Sequence, residues 1–187
     1  FGFPDEPPKV RATRLVESLE VLDRMFTGEP FSFKGRFHQL HNAIGRPVPV
    51  QQPRIPIHIG GGGKRFTLPI AAHYAEWWNC PSYAVARLEE LLPLARPARV
   101  SVQHVVALAS SRAVRDEVIE AAERRFGGWG GLVAGTPSEV AEALNREVDL
   151  GVEMFICQFS DFASPKSLRL FAREVLPALR APLTRAC

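Results

Sequence analysis

Four consecutive glycines, Gly60 to Gly63, follow the segment Ile55-Pro56-Ile57-His58-Ile59 and precede a helix-like stretch from Lys64 to Tyr74. The isoleucines alternate with period two, so the first segment reads as a strand, and the glycines read as the turn that hands it to a helix. A strand, a tight turn and a helix in succession form a unit of parallel-sheet architecture, and this constrains the fold more than any other feature of the chain.

The remaining sequence repeats the same alternation. Val10, Leu15, Leu19, Leu22 and Phe26 recur at helical spacing and predict an amphipathic helix from Lys9 to Thr27, ended by Gly28. Strands are expected at Glu76 to Cys80, Val100 to Ala109 and Met154 to Phe159, with helices at Ser82 to Leu94, Arg112 to Arg125 and Pro165 to Leu179. Thr136-Pro137-Ser138-Glu139 carries an N-cap Thr, a Pro at the first helical position and a Glu at the third, a capping box that starts a helix running to Asp149. Between Glu29 and Arg54 lies a stretch too long for a simple connector. There Phe31, Phe33 and Phe37 alternate around Lys34-Gly35-Arg36 as in a short hairpin. Such an excursion is expected either to lid a site or to serve as a structural flap or subunit contact.

The reading yields four strands over residues 1–187, taken as a single domain, whereas a closed (β/α)₈ barrel needs eight strands and about 250 residues. The expectation is therefore an α/β fold forming the C-terminal part of a (β/α)₈ TIM barrel, with its N-terminal half missing. The opening Phe1-Gly2-Phe3-Pro4, without an initiator Met, fits that expectation, and four further β/α units are expected to be encoded upstream. A doubly wound open sheet is the structural alternative. An open four-stranded remnant would leave two strand edges and an apolar inner face uncovered.

Composition narrows the function classes. With 46% apolar and 23% charged residues the chain reads as globular. Its 23 basic and 20 acidic residues are scattered, which gives a net charge of +3 but no basic stripe for nucleic acid. Cys80, Cys157 and Cys187 lie far apart without CxxC spacing, so neither a zinc site nor a disulfide framework is indicated, and a reducing cytoplasm fits. No apolar run approaches the ~20 residues of a membrane span, so a soluble protein is expected.

A run of glycines at a strand-to-helix junction costs conformational entropy, which close approach of a ligand would offset. Gly60, Gly61, Gly62 and Gly63 could present bare amides to an anion at the positive end of the following helix. Lys64 and Arg65 would add charge, and Thr67 a hydroxyl donor. Two familiar phosphate motifs are excluded. His58 and Arg65 occupy positions where a P-loop needs Gly and Ser or Thr, and Arg65 stands where a dinucleotide fingerprint needs its third Gly. The competing reading is that the glycines only permit a tight turn and close helix packing. In a barrel Ile55, Ile57 and Ile59 would face the helices, and His58 would point inward toward a flavin-type ring or serve as a hydrogen-bonded core residue.

At this point the sequence resembles a known family. Ile55-Pro56-Ile57-His58-Ile59-Gly60-Gly61-Gly62-Gly63-Lys64-Arg65-Phe66-Thr67-Leu68, followed by Ala71-Ala72-His73-Tyr74-Ala75-Glu76-Trp77-Trp78-Asn79, is similar to the central signature of luciferase-like monooxygenases. Pro47-Val48-Pro49-Val50-Gln51-Gln52-Pro53, Ala134-Gly135-Thr136-Pro137-Ser138-Glu139-Val140 and Gly151-Val152-Glu153-Met154-Phe155-Ile156-Cys157-Gln158-Phe159 agree with it in order. Within that family the glycine segment is most similar to the branch using the deazaflavin coenzyme F420, with FMN as the alternative cofactor.

The resemblance implies a cofactor lying across the C-terminal ends of the strands, its phosphate near Gly61, Gly62 and Gly63, with Asn79 close to it. Asn79 could instead cap the helix that begins at Ser82. One of Trp77 and Trp78 is expected to face inward and the other to join the helix layer. Gln158 and Asp161 are mouth residues on the same reading, or simply solvated loop residues. No catalytic acid or base carries over. The implied activity is hydride transfer to or from a small organic substrate. The alternatives are a reduced-flavin (FMN) monooxygenase and a non-catalytic half-barrel remnant acting as a binding or oligomerisation module. No nucleic acid or membrane partner is expected, and a homodimer is among the assemblies that the resemblance allows.

Overall fold

The computed structural model of the protein describes residues 5–181. Helix α1 (Pro8–Phe26) lays Leu15 and Leu19 against the core. A two-stranded antiparallel hairpin follows, β1 (Phe31–Lys34) and β2 (Gln39–Ala43), where the phenylalanine alternation predicts one. The next strand, β3, runs only from His58 to Gly60. It is shorter than the expected Ile55 to Ile59, because Pro53 and Pro56 lack the amides a ladder needs and Ile55 stays exposed.

The alternating units then proceed in order: α2 (Thr67–Tyr74), β4 (Trp77–Cys80), a 3₁₀ turn at Ser82–Arg87 leading into α3 (Leu88–Ala95), β5 (Arg99–Leu108), α4 (Arg115–Phe126), β6 (Leu132–Gly135), α5 (Pro137–Asp149), β7 (Met154–Phe159) and α6 (Pro165–Leu170). Helix α2 begins three residues later than expected, since Lys64 to Phe66 form a turn. The last helical stretch is broken. It leaves the α-form at Phe171 for a π turn through Val175 and a 3₁₀ turn at Leu176–Ala178, where Pro177 cannot continue the ladder.

All strand pairs in the main sheet are parallel, which bears out the α/β expectation. Strands β3, β4, β5 and β7 lie side by side and are the four predicted ones. The fifth strand, β6, lies in what reads from sequence as a glycine-rich loop. One edge of β5 pairs with β4 through Arg99 to Val102 and with β6 through Val105 to Leu108, while the other edge pairs with β7. Helices α1, α2 and α3 pack on the sheet face that carries Ile59, Trp78, Val100 and Val102, and α5 packs on the continuation of that face at Val106 and Phe159.

The opposite face carries His58, Trp77, Asn79, Ser101, Met154 and Ile156 in register. Met154 is 37% and Ile156 41% exposed, so this face is uncovered there among the described residues. In the described sheet β3 and β7 each have one strand neighbour, so one edge of each is open. The anticipated edges and inner surface are therefore present.

Local chemistry supports the frame. The capping box forms as predicted: the Thr136 amide and hydroxyl both donate to Oε2 of Glu139, at 2.8 and 2.9 Å. At the other end of the sheet, Arg54 joins Asp23 of α1 to Glu76, each at 2.8 Å, and Glu76 also accepts from the Ile57 amide at 2.7 Å. These contacts hold α1 and β3 in the relation on which the site depends.

Candidate cofactor site at the glycine turn

The turn after β3 is shaped by its neighbours on both sides. The Gly61 amide donates to the Asn79 carbonyl at 3.2 Å, and the Trp78 indole donates to the Gly61 carbonyl at 2.9 Å. Gly61 has φ +136°, and a Cβ there would stand 2.9 Å from Cγ2 of Thr67, so only glycine suits the position. A Cβ at buried Gly62 would come within 3.0 Å of Ala84 and 3.4 Å of the Arg87 guanidinium. Beyond this point donors are left over. Among the described residues the amides of Gly62, Gly63, Lys64 and Arg65 meet no protein acceptor.

These residues line a cavity of about 560 Å³ between the turn and the first half of α1. Its walls include Gly60 to Thr67, Ile70 and Tyr83 on one side, and Pro8, Arg11, Ala12 and Leu15 on the other. Unsatisfied amides around a cavity with cations at its rim are the arrangement an anion needs. The packing reading of the glycines also holds at Gly61 and Gly62, so the two readings apply to different groups of one turn.

The cations divide by partner. Lys64 pairs with Glu90 of α3, and Lys64 holds that carboxyl below its ordinary range. Arg65 rests its guanidinium 5.2 Å from the Phe66 ring, and neither Arg65 nor Arg11 has a carboxylate partner among the described residues. Sequence reading picked out Lys64 and Arg65 but missed Arg11 and Tyr83. For Arg11 a signal exists: it precedes Leu15 by one helical turn on the flank that meets α2.

The other residues singled out from sequence lie on a second surface. His58 is exposed on the helix-free face, its ring 5.2 Å from that of Trp77. Desolvation by its partial burial pushes its pKa down, against the opposing pull of Glu76. Asn79 adjoins Gly60 there, and its Oδ1 accepts from Ser101 Oγ at 3.0 Å. It does not cap the following helical turn, which Pro81 precedes without a side-chain cap. Of the two tryptophans, Trp77 shares the helix-free face with His58 while Trp78 is fully buried in the helix-side core, the division expected from adjacency.

Two expectations about the periphery take definite form. Asp161 accepts from the Ser164 amide at 3.3 Å and the Ser167 hydroxyl at 2.6 Å, so it braces the turn after β7, and neither it nor Gln158 lines the glycine cavity. The Glu29 to Arg54 excursion is fastened to α1: both carboxylate oxygens of Glu17 accept from the amides of Arg36, Phe37 and His38, at 2.8 to 3.2 Å. None of its residues lines the glycine cavity, which favours a structural flap over a lid. Among the described residues no group of three His, Cys, Asp or Glu side chains is placed to hold a metal, and no helix is long and apolar enough to cross a membrane.

Comparison with known proteins identifies the family. The luciferase-like monooxygenase family profile matches residues 2–131, and the chain belongs to that family. It is 26% identical over 222 residues to an F420-dependent glucose-6-phosphate dehydrogenase of Microbacterium testaceum, a match covering 95% of this chain and 63% of the relative. It is 22% identical over 216 residues to an FMNH(2)-dependent dimethylsulfone monooxygenase of Pseudomonas putida, covering 91% and 59%. Among solved structures, an F420-dependent secondary alcohol dehydrogenase in complex with an F420-acetone adduct superposes with a TM-score of 0.72 at 18% identity, over 94% of this chain and 64% of that one. The chain thus spans less than two thirds of the length of these relatives and holds part of their barrel. Relatives dependent on F420 and on FMN are both represented.

Proposed function

We propose that this chain is the cofactor-anchoring part of an F420-dependent oxidoreductase acting on a small organic substrate. The supporting observation is the set of amides from Gly62 to Arg65, left without protein acceptors among the described residues on the wall of a roomy cavity, beside Arg11 and Arg65, which have no carboxylate partner among those residues. When bound, the deazaflavin ring would exchange a hydride with a carbon of the substrate, chemistry that belongs to the cofactor.

The residues of this chain bind and orient. Gly62 and Gly63 hold the phosphate, Arg65 offsets its charge, and Thr67 keeps the turn in shape from within. Gly60, Asn79 and His58 lie on the face where a ring would extend, and Trp77 floors it. Lys64, joined to Glu90, acts on the charge of the rim rather than as a direct ligand. No acid or base for the reaction is assigned to this chain. Among the described residues Cys80 is a buried and Cys157 a half-buried free thiol, which suits a reducing cytoplasm, while Cys187 lies outside the described residues.

The FMN alternative has a specific observation in its favour, a curated relative that uses reduced FMN. Fluorescence titration of the chain with F420 and with FMN separates the two. Saturable binding of F420, tighter than that of FMN and weakened by Gly62→Val, is expected. Tighter binding of FMN would overturn the cofactor assignment, and binding of neither would overturn the anchoring role.

A further inference from the structure

Beside the glycine turn one side-chain donor is oriented by a buried residue that the anchoring reading leaves out. Asn79 of β4 carries an amide with two unlike ends, an acceptor Oδ1 and a donor Nδ2. Ser101 of β5 is its register partner and is fully buried, and the Ser101 hydroxyl donates to Oδ1 at 3.0 Å. Resting on the anchoring reading above, we infer that Ser101 is a positioning residue: it holds Asn79 with Nδ2 toward the ligand, so that the amide donates to a carbonyl oxygen of the bound ring.

Three observations lead there. First, the Ser101 hydroxyl has one proton and two acceptors within reach, Oδ1 of Asn79 at 3.0 Å and the Trp78 carbonyl at 3.4 Å, and the shorter contact is the one to the side chain. With Oδ1 taken up by that proton, Nδ2 is the end of the amide left to offer. Second, Nδ2 meets no protein acceptor among the described residues, and it is the nearest atom to a Cβ added at Gly60, at 3.7 Å. The free donor therefore stands beside the first glycine of the run, on the helix-free face that also carries His58 and Trp77. Third, an uncharged N–H held by a buried hydroxyl suits a neutral acceptor of fixed position. A ring carbonyl is such an acceptor, whereas the charge of a phosphate is met by the amides of the turn and by Arg65. Deazaflavin and flavin rings both carry carbonyls on their pyrimidine edge, so the same donor serves either cofactor.

The test is a double-mutant cycle read as cofactor affinity, with whichever of F420 and FMN the unaltered chain binds more tightly as the probe and urea unfolding measured alongside. Ser101→Ala and Asn79→Ala should each weaken binding about fivefold, and the double variant no more than either alone, because Ser101 acts only through Asn79. Ser101→Thr keeps the hydroxyl and should recover most of the loss. Asn79→Asp still accepts from Ser101 but turns an acceptor toward the ring, and it should bind about tenfold or more weakly than the parent. Should Ser101→Ala fail to fold, Ser101→Cys, a weaker donor of similar shape, takes its place in the cycle. Losses that add in the double variant, or an Asn79→Asp chain that binds like the parent, overturn the positioning role while leaving the glycine anchor standing. Failure of the unaltered chain to bind either cofactor overturns the anchor and the positioning role together.

Discussion

The indole nitrogen of Trp78 donates to the carbonyl of Gly61 across 2.9 Å, linking a fully buried core side chain to the turn that carries the unpaired amides. The bond fixes the peptide plane between Gly61 and Gly62, and so the amide of Gly62 is set by the core rather than by the ligand. Pre-set donors bind without the cost of ordering a loop. Trp78→Phe would remove the donor, leave the carbonyl unsatisfied and open a small void. Urea unfolding should show a loss of about 2–3 kcal/mol, and cofactor affinity should fall severalfold. A variant as stable as the parent would mean that the bond contributes nothing.

Adjacent glycines should respond differently to alanine. At Gly61 the new Cβ meets Thr67 at 2.9 Å in a backbone conformation of φ +136°, whereas at Gly60 the nearest neighbour is an Asn79 atom at 3.7 Å. Gly61→Ala is expected to destabilise by about 1–3 kcal/mol and Gly60→Ala by less than about 1 kcal/mol, measured by denaturant unfolding. Equal effects at the two positions would contradict the turn geometry.

Acid should weaken the α5 cap in a defined window. Hydrogen bonds from Arg115, then from the Thr136 amide and hydroxyl, hold the Glu139 carboxyl down at about 2, against an ordinary value of 4.5. A depressed carboxyl contributes stability that is fully present above 4.5 and is lost as pH falls through about 2. Glu139→Gln should lower the melting temperature by roughly 2–4 °C at pH 7. That gap should close as the pH is taken from about 4.5 toward 2. A gap independent of pH in that range would show that the carboxylate's charge is not what the cap uses.

Thiol chemistry offers a further check. Burial, with the Glu147 charge adding to it, pushes Cys80 up to about 12 and Cys157 up to about 11. In a Cys187→Ser background at pH 8, both should react with a disulfide reagent about a hundredfold or more slowly in the native chain than in guanidinium. Rapid native labelling of Cys80 would mean that the sheet opens at β4.

Much of this was readable because each β/α unit advertises itself locally. The Thr136 to Glu139 cap, the phenylalanine alternation of the hairpin and the adjacency of Trp77 and Trp78 each fix a local geometry that the rest of the fold leaves alone. What escaped depended on distant partners. Leu132 to Gly135 is too short and too close to glycines to announce a strand, and it becomes one only because the second half of β5 offers a free edge. Lys64 reads as an anion ligand until α3 brings Glu90 beside it, 26 positions along the chain. The helical spacing of Arg11 and Leu15 marks a shared flank, but only the packing of α1 beside the glycine turn shows which cavity that flank borders.

Strand β5 is bordered by β4 and β6 on one edge and β7 on the other, while β3 sits at the margin with one neighbour. Amide protons from Ser101 to Val106 should therefore exchange only when the whole domain opens, and those of β3 through small local excursions. The cradle is thus attached to the shortest strand of the sheet, paired along one edge only. A ligand seated there would slow exchange most where the empty protein is loosest, so occupancy would be written in the hydrogen-exchange profile of β3 more clearly than in any global measure of stability.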